Sequence, residues 1–176
     1  HCVLAEPQQH FQRSSVIQSI HCFDHAVYCS EAEGIFRVDL ADGSTAYYAY
    51  SQPVDQLTLF EHDGQLTAIA KADGAIGLYH ISFEGESAVL NPYCTVSGFP
   101  SGDQWIEAIA GTGTYSVFTI QKSWTETSIW LLNANTGEIQ CISDPFTDGF
   151  SICTTTNGNI LAQRYSLSDS TDAQYG

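Results

Sequence analysis

The sequence predicts an all-β protein, and three observations support this fold class. Short runs of about four to eight residues, rich in β-branched and aromatic side chains, make up most of the chain. Gly, Asp and Asn separate these runs, as turn residues separate strands. No segment holds the i, i+3, i+4, i+7 apolar spacing of a long amphipathic helix.

Each predicted strand is an apolar or alternating run that ends at turn residues. The alternation is clearest in the segments Ile-Phe-Arg-Val-Asp-Leu and Leu-Thr-Ala-Ile-Ala, where every second side chain would face one side of a sheet. The predicted strands, in chain order, are Val16–Cys22, Ala26–Ser30, Ile35–Leu40, Thr45–Tyr50, Gln56–Phe60, Leu66–Ala70, Ile76–Ile81, Ala88–Cys94, Trp105–Ala110, Tyr115–Gln121, Ile129–Asn133, Ile139–Ile142, Phe150–Thr154 and Asn159–Arg164.

Turn glycines recur in two interleaved series along the chain. Each glycine of the first series follows an apolar strand and a short polar stretch. The glycines of the second series alternate with those of the first along the chain. Hairpin turns need a positive φ at a central position, which glycine adopts without cost. Both series share a period of roughly 40–50 residues, the length of a four-stranded propeller blade. The series are Gly43, Gly85 and Gly137, and Gly64, Gly113 and Gly158.

This period predicts a partial β-propeller of about three and a half blades, each of four antiparallel strands. The blades are expected at about residues 16–51, 52–97 and 98–146, with an incomplete blade at 147–165. Residues 1–15 are predicted to be an N-terminal strand or linker, and residues 166–176 a polar tail. A closed ring needs at least about four blades, so we expect a partner chain or a missing segment to complete it. A β-sandwich of about fourteen strands is the alternative.

Two of the turns resemble a known repeat. Residues 132–139 read Leu-Asn-Ala-Asn-Thr-Gly-Glu-Ile, and residues 38–45 read Val-Asp-Leu-Ala-Asp-Gly-Ser-Thr. Both are similar to the turn before the last strand in bacterial secreted or surface β-propeller repeats of the quinoprotein-like and YVTN-like kind. Some proteins with such repeats carry the propeller ahead of a solute-binding domain. The Trp that usually follows the turn is absent here, so the resemblance implies no quinone cofactor.

The charge of the chain excludes several partners. There are 20 acidic and 5 basic residues, for a net charge of −15. So few basic residues cannot form a phosphate-binding face, so nucleic acid is a poor partner and anionic membrane surfaces are disfavoured. No run approaches the roughly 18 apolar residues of a membrane span. The charge favours cationic ligands, metal ions or basic protein surfaces.

The six cysteines predict an extracytoplasmic location, secreted or at the cell surface. An even number in an acidic, Lys-poor chain favours an oxidising compartment. Cys22 and Cys29 flank a predicted turn, and Cys141 and Cys153 flank a predicted loop, so both pairs are disulfide candidates. The alternative is that these cysteines are buried thiols in strands.

His21, Asp24 and His25 form the densest group of potential metal ligands. Neighbouring residues of a strand point to opposite faces, and no paired C-x-x-C motif accompanies these three residues. The alternative to a metal site is therefore that they are polar side chains of a hairpin with no ligand to bind. No cofactor is expected, with Ca²⁺ at the Asp-rich turns as the other hypothesis. Those turns are also explained by side-chain hydrogen bonds to their own backbone.

Aromatic residues supply the candidate ligand-binding positions, which are Tyr48, Tyr50, Trp105 and Trp124. The alternative is that these rings fill the space between blades. No G-x-S-x-G nucleophile motif is present, so an enzymatic activity is not predicted. The sequence therefore predicts a non-catalytic extracytoplasmic propeller segment that binds a protein or small-molecule ligand. The alternatives are part of a hydrolase-like propeller enzyme completed by missing blades, and a structural spacer in a bacterial surface protein.

Overall fold

A computed structural model of the 176-residue chain describes residues 16–72, 74–100, 105–110, 114–123, 126–144, 149–154 and 160–165. Every regular element in these ranges is a β-strand, so the all-β prediction is confirmed. Within the same ranges, no helix has the length and apolar character needed to cross a membrane.

The described residues form fourteen strands, and each overlaps one of the predicted strands. In chain order they are β1 Ser19–Phe23, β2 Ala26–Ser30, β3 Gly34–Asp39, β4 Thr45–Tyr50, β5 Gln56–His62, β6 Gln65–Ala72, β7 Ala75–Glu84, β8 Ser87–Thr95, β9 Trp105–Ala110, β10 Tyr115–Ser123, β11 Glu126–Asn133, β12 Ile139–Cys141, β13 Gly149–Thr154 and β14 Ile160–Tyr165.

Consecutive strands pair antiparallel in groups of four. We call β1–β4 unit 1, β5–β8 unit 2 and β9–β12 unit 3, and the last two strands form the pair β13–β14. Short turns permit this arrangement because an antiparallel pair needs only a tight hairpin. The first hairpin has Asp24 and His25 at φ 42° and 59°, the left-handed conformation of a type I′ turn.

Units 1 and 2 join into one eight-stranded sheet. The join is a parallel pairing of β4 with β8, in which Ala49 faces Ser87 and Tyr50 faces Ala88. The strand order is β1-β2-β3-β4-β8-β7-β6-β5. The two end strands of this sheet, β1 and β5, are themselves in contact, so the sheet curls until it is nearly closed.

Side chains join the first strands of units 1 and 2. The Leu59 amide donates to Ser19 Oγ at 3.0 Å, and the Leu57 amide donates to Gln18 Oε1 at 3.1 Å. Ser30 Oγ donates to the Leu57 carbonyl at 2.9 Å. Backbone groups on the edge of β5 are thereby satisfied by side chains in place of another strand.

The same kind of junction joins unit 2 to unit 3. Gln56 Nε2 donates to the Ile106 carbonyl at 2.8 Å, and the Ile106 amide donates to Gln56 Oε1 at 3.3 Å. A side-chain amide offers one donor and one acceptor, so it pairs with a strand edge as a peptide group would. Strand β9 in turn contacts β13, so the first strands follow one another as β1, β5, β9 and β13.

Two apolar cores lie on the two faces of unit 2. Adjacent residues of one strand belong to different cores, because successive side chains point to opposite faces. Leu59, for example, lies in one core and Phe60 in the other. The core with unit 1 contains Ala26, Tyr28, Ile35, Leu57, Leu59, Leu66, Ala68, Ala70, Ala72, Tyr79, Ala88 and Leu90. The core with unit 3 contains Phe60, Ile69, Leu78, Val96, Ile106, Phe118, Ile120, Leu132 and Ala134.

Candidate functional site

A cleft of about 580 Å³ opens between the end of unit 2 and the outer strands of unit 3. We call it the Tyr115 cleft, because Tyr115 lines it and is 56% exposed. Its volume lies in the range of small-molecule and peptide sites. The lining residues are Ser97, Gly98, Tyr115, Leu131, Asn133, Glu138, Ile139 and Gln140.

The turn between β11 and β12 shapes one side of this cleft. Asn133 Oδ1 accepts a hydrogen bond from the Asn135 amide at 3.0 Å, which stabilises the turn in the manner predicted for its Asn side chains. The Gly137 amide donates to the Asn133 carbonyl at 2.8 Å, and Gly137 has φ +70°. The turn thus carries the chain directly into Glu138 at the cleft.

Close contact with unit 2 fixes the position of this turn. The Ser97 amide donates to the Gly137 carbonyl at 2.9 Å, and Ser97 also forms a parallel bridge with Glu138. A Cβ atom on Gly137 would lie 2.2 Å from the Thr95 carbonyl oxygen, so only glycine permits the approach. The cleft wall therefore depends on the junction of two units.

The chemistry of the cleft combines an aromatic ring, an apolar floor and polar side chains. Leu131 supplies aliphatic surface on the face of the sheet that carries Tyr115, whereas Ile139 shares the opposite face with Leu132 and packs against the core. Glu138 supplies a carboxylate, whose Oε2 accepts from Thr136 Oγ1 at 3.2 Å, and Gln140 supplies an exposed amide. An exposed aromatic ring beside a carboxylate attracts cationic groups, and amides pair with extended peptide backbone.

A second cleft, of about 460 Å³, lies at the loop end of the junction between units 1 and 2. It is lined by the loops 32–33 and 50–55 and includes the exposed carboxylates Glu33 and Asp55. Tyr50 lines it with its hydroxyl turned inward, where it donates to the Glu31 carbonyl at 3.1 Å. Burial raises the pKa of Tyr50, with the charges of Tyr47 and Glu31 acting in the same direction. The aromatic surface of this cleft is consequently less available than that of Tyr115.

Of the four aromatic residues predicted to bind a ligand, the structure describes the side chains of two, and both pack against the core. Tyr48 packs against Phe83 of unit 2, with ring centroids 4.3 Å apart, and both Tyr48 and Tyr50 pack against the core shared by units 1 and 2. These two rings therefore serve mainly as core. Trp105 lies on β9, where the structure describes only its backbone, and Trp124 falls outside the described residues.

The predicted metal ligands are not brought together. His21 lies on β1 with Nε2 buried, while Asp24 and His25 occupy the exposed hairpin turn. Burial lowers the pKa of His21, and the charge of Glu61 opposes this shift. Within the described part of the chain, no group of three or more His, Cys, Asp or Glu side chains is arranged to hold a metal ion.

The predicted disulfide partners Cys22 and Cys29 are not joined in the structure. In the β1–β2 register Cys22 faces Val27 and Ile20 faces Cys29, so the two cysteines are diagonal neighbours. Diagonal positions lie about 7–8 Å apart, beyond the usual Cα separation of a disulfide. Cys141 is an exposed thiol that donates to the Ser143 carbonyl at 3.2 Å, and the side chain of Cys153 is not described.

A stack of aromatic rings was not anticipated from the sequence. His80 lies parallel to Tyr93 with ring centroids 4.1 Å apart, and His62 lies parallel to Tyr93 at 6.1 Å. Burial lowers the pKa of His80, His62 adds to this shift and Asp63 opposes it. Burial also raises the pKa of Tyr93 to about 12. The stack belongs to the face of unit 2 that carries Phe60 and Leu78 and packs on unit 3.

Comparison with known proteins yields few relatives. No protein-family model and no curated protein matches the chain. Among solved structures, the computationally designed Ika4 protein matches with 16% identity and a TM-score of 0.45, over 92% of this chain and 99% of Ika4. The designed Ika8 protein matches with 17% identity and a TM-score of 0.42, over 87% of this chain and 47% of Ika8. TM-scores of this size do not establish a shared fold, and the resemblance to bacterial quinoprotein-like repeats stays a prediction.

Proposed function

We propose that this chain is a non-catalytic, extracytoplasmic β-propeller segment that binds an extended cationic peptide segment of a partner protein in the Tyr115 cleft. The observation that carries the proposal is Tyr115, which is 56% exposed and lines a cleft together with a carboxylate and an exposed amide. The extracytoplasmic location is supported by the acidic, Lys-poor composition and the even number of cysteines.

The propeller arrangement is supported by the order in which the units contact one another. Each unit is a meander of four antiparallel strands, and the first strands contact one another in turn, β1 to β5, β5 to β9 and β9 to β13, while units 1 and 2 are also joined by the pairing of β4 with β8. In a propeller the first strands of successive blades surround a common axis, and loops gather at the two ends.

A cationic partner is supported by charge at two scales. The chain carries a net charge of −15, which attracts basic segments from a distance and repels acidic ones. Within the cleft, Glu138 and the ring of Tyr115 both favour a Lys or Arg side chain. Leu131, on the same face as Tyr115, favours an apolar side chain of an extended peptide.

Calorimetric titration with two blocked hexapeptides tests the proposal. One peptide alternates Lys and Val, and the other alternates Glu and Val. The Lys peptide should bind with a Kd of about 10–500 μM, and higher salt should weaken it because exposed charges are screened. The Glu peptide should show no binding, because its carboxylates meet Glu138 and the negative field.

Three variants locate the site. Tyr115→Ala and Glu138→Gln should each weaken binding of the Lys peptide at least about fivefold. Tyr47→Ala is the matched control, since Tyr47 is also exposed, at 37%, but lies on unit 1. Equal binding of both peptides, or a Tyr115→Ala variant that binds like the wild type, would show that the cleft is not the site. Binding of a neutral oligosaccharide without binding of the Lys peptide would contradict the partner class.

A further inference from the structure

The face of unit 3 that carries Tyr115 is organised in rows that run across its strands. In the first row Tyr115 pairs with Asn133, and the Asn133 amide donates to the carbonyl of Glu138 opposite it at 2.9 Å. Ser97 continues this row through its parallel bridge with Glu138. Paired residues point to the same face of a sheet, and neighbouring strands lie about 4.8 Å apart. Tyr115 and Glu138 are therefore about 10 Å apart, on either side of Asn133.

The second and third rows carry aliphatic side chains. Leu131, two positions from Asn133 along β11, lies opposite Gln140. Ile129, two positions further along, lies opposite Ile142, whose amide donates to the Ile129 carbonyl at 2.9 Å. Leu131 and Ile129 are half-buried, and Ile142 is 51% exposed. Successive rows are about 6.7 Å apart, because residues two apart in a strand share a face.

The open part of this face is a strip over β11 and β12. On β10, the second and third rows end in Val117 and Thr119, which are only 7% and 0% exposed. The first two rows line the Tyr115 cleft, and the third lies beyond it. The strip thus has a charged end at Glu138 and an aliphatic end at Ile142. We call these three rows, from Tyr115 to Ile142, the β11 strip.

We propose that the β11 strip binds an extended partner segment in which one basic residue has aliphatic residues at the second and fourth positions from it. The proposal rests on the peptide function proposed for the Tyr115 cleft, and it names the pattern of side chains that the cleft selects. An extended chain places side chains i, i+2 and i+4 on one side, at the same spacing of about 6.7 Å as the rows. The basic side chain then lies between Tyr115 and Glu138. The aliphatic side chains lie over Leu131 and over the pair of Ile129 and Ile142.

The two ends of the strip select different side chains. At the first row, the carboxylate of Glu138 and the ring of Tyr115 both attract an ammonium or guanidinium group. At the third row, Ile129 and Ile142 present aliphatic surface, on which a Val or Leu side chain is removed from water. A charged group there would lose hydration without gaining an opposite charge from either isoleucine. The basic and aliphatic positions of the segment are therefore not interchangeable.

Three blocked pentapeptides of identical composition test the spacing by calorimetric titration of the full chain. In Lys-Ser-Val-Ser-Val and its reverse, Val-Ser-Val-Ser-Lys, the basic and both aliphatic side chains share one side of an extended chain. In Lys-Val-Ser-Val-Ser, both Val side chains lie opposite Lys. The tighter of the first two, which we call the spaced peptide, should bind at least about fivefold more strongly than Lys-Val-Ser-Val-Ser. All three peptides carry the same charge, so the attraction by the net charge of −15 is equal for each.

A variant at the aliphatic end locates the second Val. Ile142→Ser should weaken binding of the spaced peptide at least about threefold. It should have a smaller effect on the peptide in which Ser replaces the Val farther from Lys, because that peptide makes no contact with the third row. Leu40→Ser is the matched control, since Leu40 is also exposed, at 61%, but lies in the turn after β3.

The outcomes separate this proposal from the proposed function. Equal binding of the spaced peptide and Lys-Val-Ser-Val-Ser, or an Ile142→Ser variant that binds the spaced peptide as Leu40→Ser does, would overturn the spacing rule. If the Lys peptide still binds and still depends on Tyr115 in that case, the proposed function stands without the rule. If neither the Lys peptide nor any pentapeptide binds, the proposed function is wrong and the rule falls with it.

Discussion

The side-chain amide of Gln56 links unit 2 to unit 3, and its removal should lower the free energy of unfolding. Gln56→Ala deletes the donor to the Ile106 carbonyl at 2.8 Å and the acceptor of the Ile106 amide at 3.3 Å. Ile106 is 5% exposed, so water cannot readily replace the lost amide. The change leaves the side chains of the apolar core in place.

The magnitude follows from the groups left behind. Each lost hydrogen bond contributes about 1 kcal/mol net, and an unsatisfied buried amide costs about 1–3 kcal/mol. Thr58 Oγ1 lies 3.5 Å from the Ile106 carbonyl and remains as a weak donor, so the carbonyl keeps a partial partner. The free energy of unfolding should therefore fall by about 2–3 kcal/mol. Gln56→Glu should cost at least as much, because a carboxylate oxygen would then face that carbonyl.

Urea unfolding followed by circular dichroism measures this loss. If the slope of unfolding free energy against urea concentration is unchanged, the shift in the urea midpoint reports the change in the free energy of unfolding. Gln65→Ala is the control, because Gln65 is exposed at the start of β6 and its loss should cost less than about 0.5 kcal/mol. If Gln56→Ala were as stable as Gln65→Ala, the amide would not hold the two units together, and this account of the junction would be refuted.

Two further predictions concern the close approach of the units and their response to acid. Gly137→Ala should lower the free energy of unfolding, measured in urea, by more than about 2 kcal/mol, because the new Cβ would collide with the Thr95 carbonyl oxygen. Gly64→Ala is the control: Gly64 has the same φ of +70° but open space around it, so this change should cost only about 1 kcal/mol. Burial lowers the pKa of His21 and His80 below the value of 6.5 that unfolded chains show. The stability that depends on these neutral rings is present above pH 6.5 and is lost as pH falls below it, because the unfolded chain then binds more protons. The urea midpoint should thus fall between about pH 7 and pH 5, and less steeply in the variant with both histidines replaced by Gln; an equal pH response in that variant would show that other groups are responsible.

The strands were predictable because their signal is local. Alternation in the segment 35–40 and the turn glycines indicate where each strand begins and ends, and the structure places β3 at Gly34–Asp39. The pairing of β4 with β8 was not predictable in this way. It joins Ala49 and Tyr50 to residues of the next unit, and it depends on how two sheets pack rather than on any pattern within either strand.

The candidate site was harder to predict than the strands. Alternation indicates that Tyr48 and Tyr50 share a face, but it does not say whether that face points to solvent or to another unit. The sequence predicts Tyr115 as the first residue of a strand, and its place directly after the predicted turn at Gly113 is a signal for exposure. Gln18 and Gln56 lie next to or at the start of β1 and β5, and each hydrogen-bonds to the next unit. A Gln recurs in the sequence just before β9, at position 104, which lies outside the described residues, and this recurrence is a sequence signal for the junctions.

We propose that successive four-stranded units pack through their first strands around a common axis, as propeller blades do. Nuclear Overhauser effects between these strands in the labelled full chain test it most directly. We predict cross-peaks from the Ser19 side chain to the Leu59 amide, from the Gln56 side-chain amide to Ile106, and between β9 and β13. A spectrum without these contacts, with contacts between β9–β12 and the strands β3 and β4 instead, would place the sheets as two layers and contradict the account.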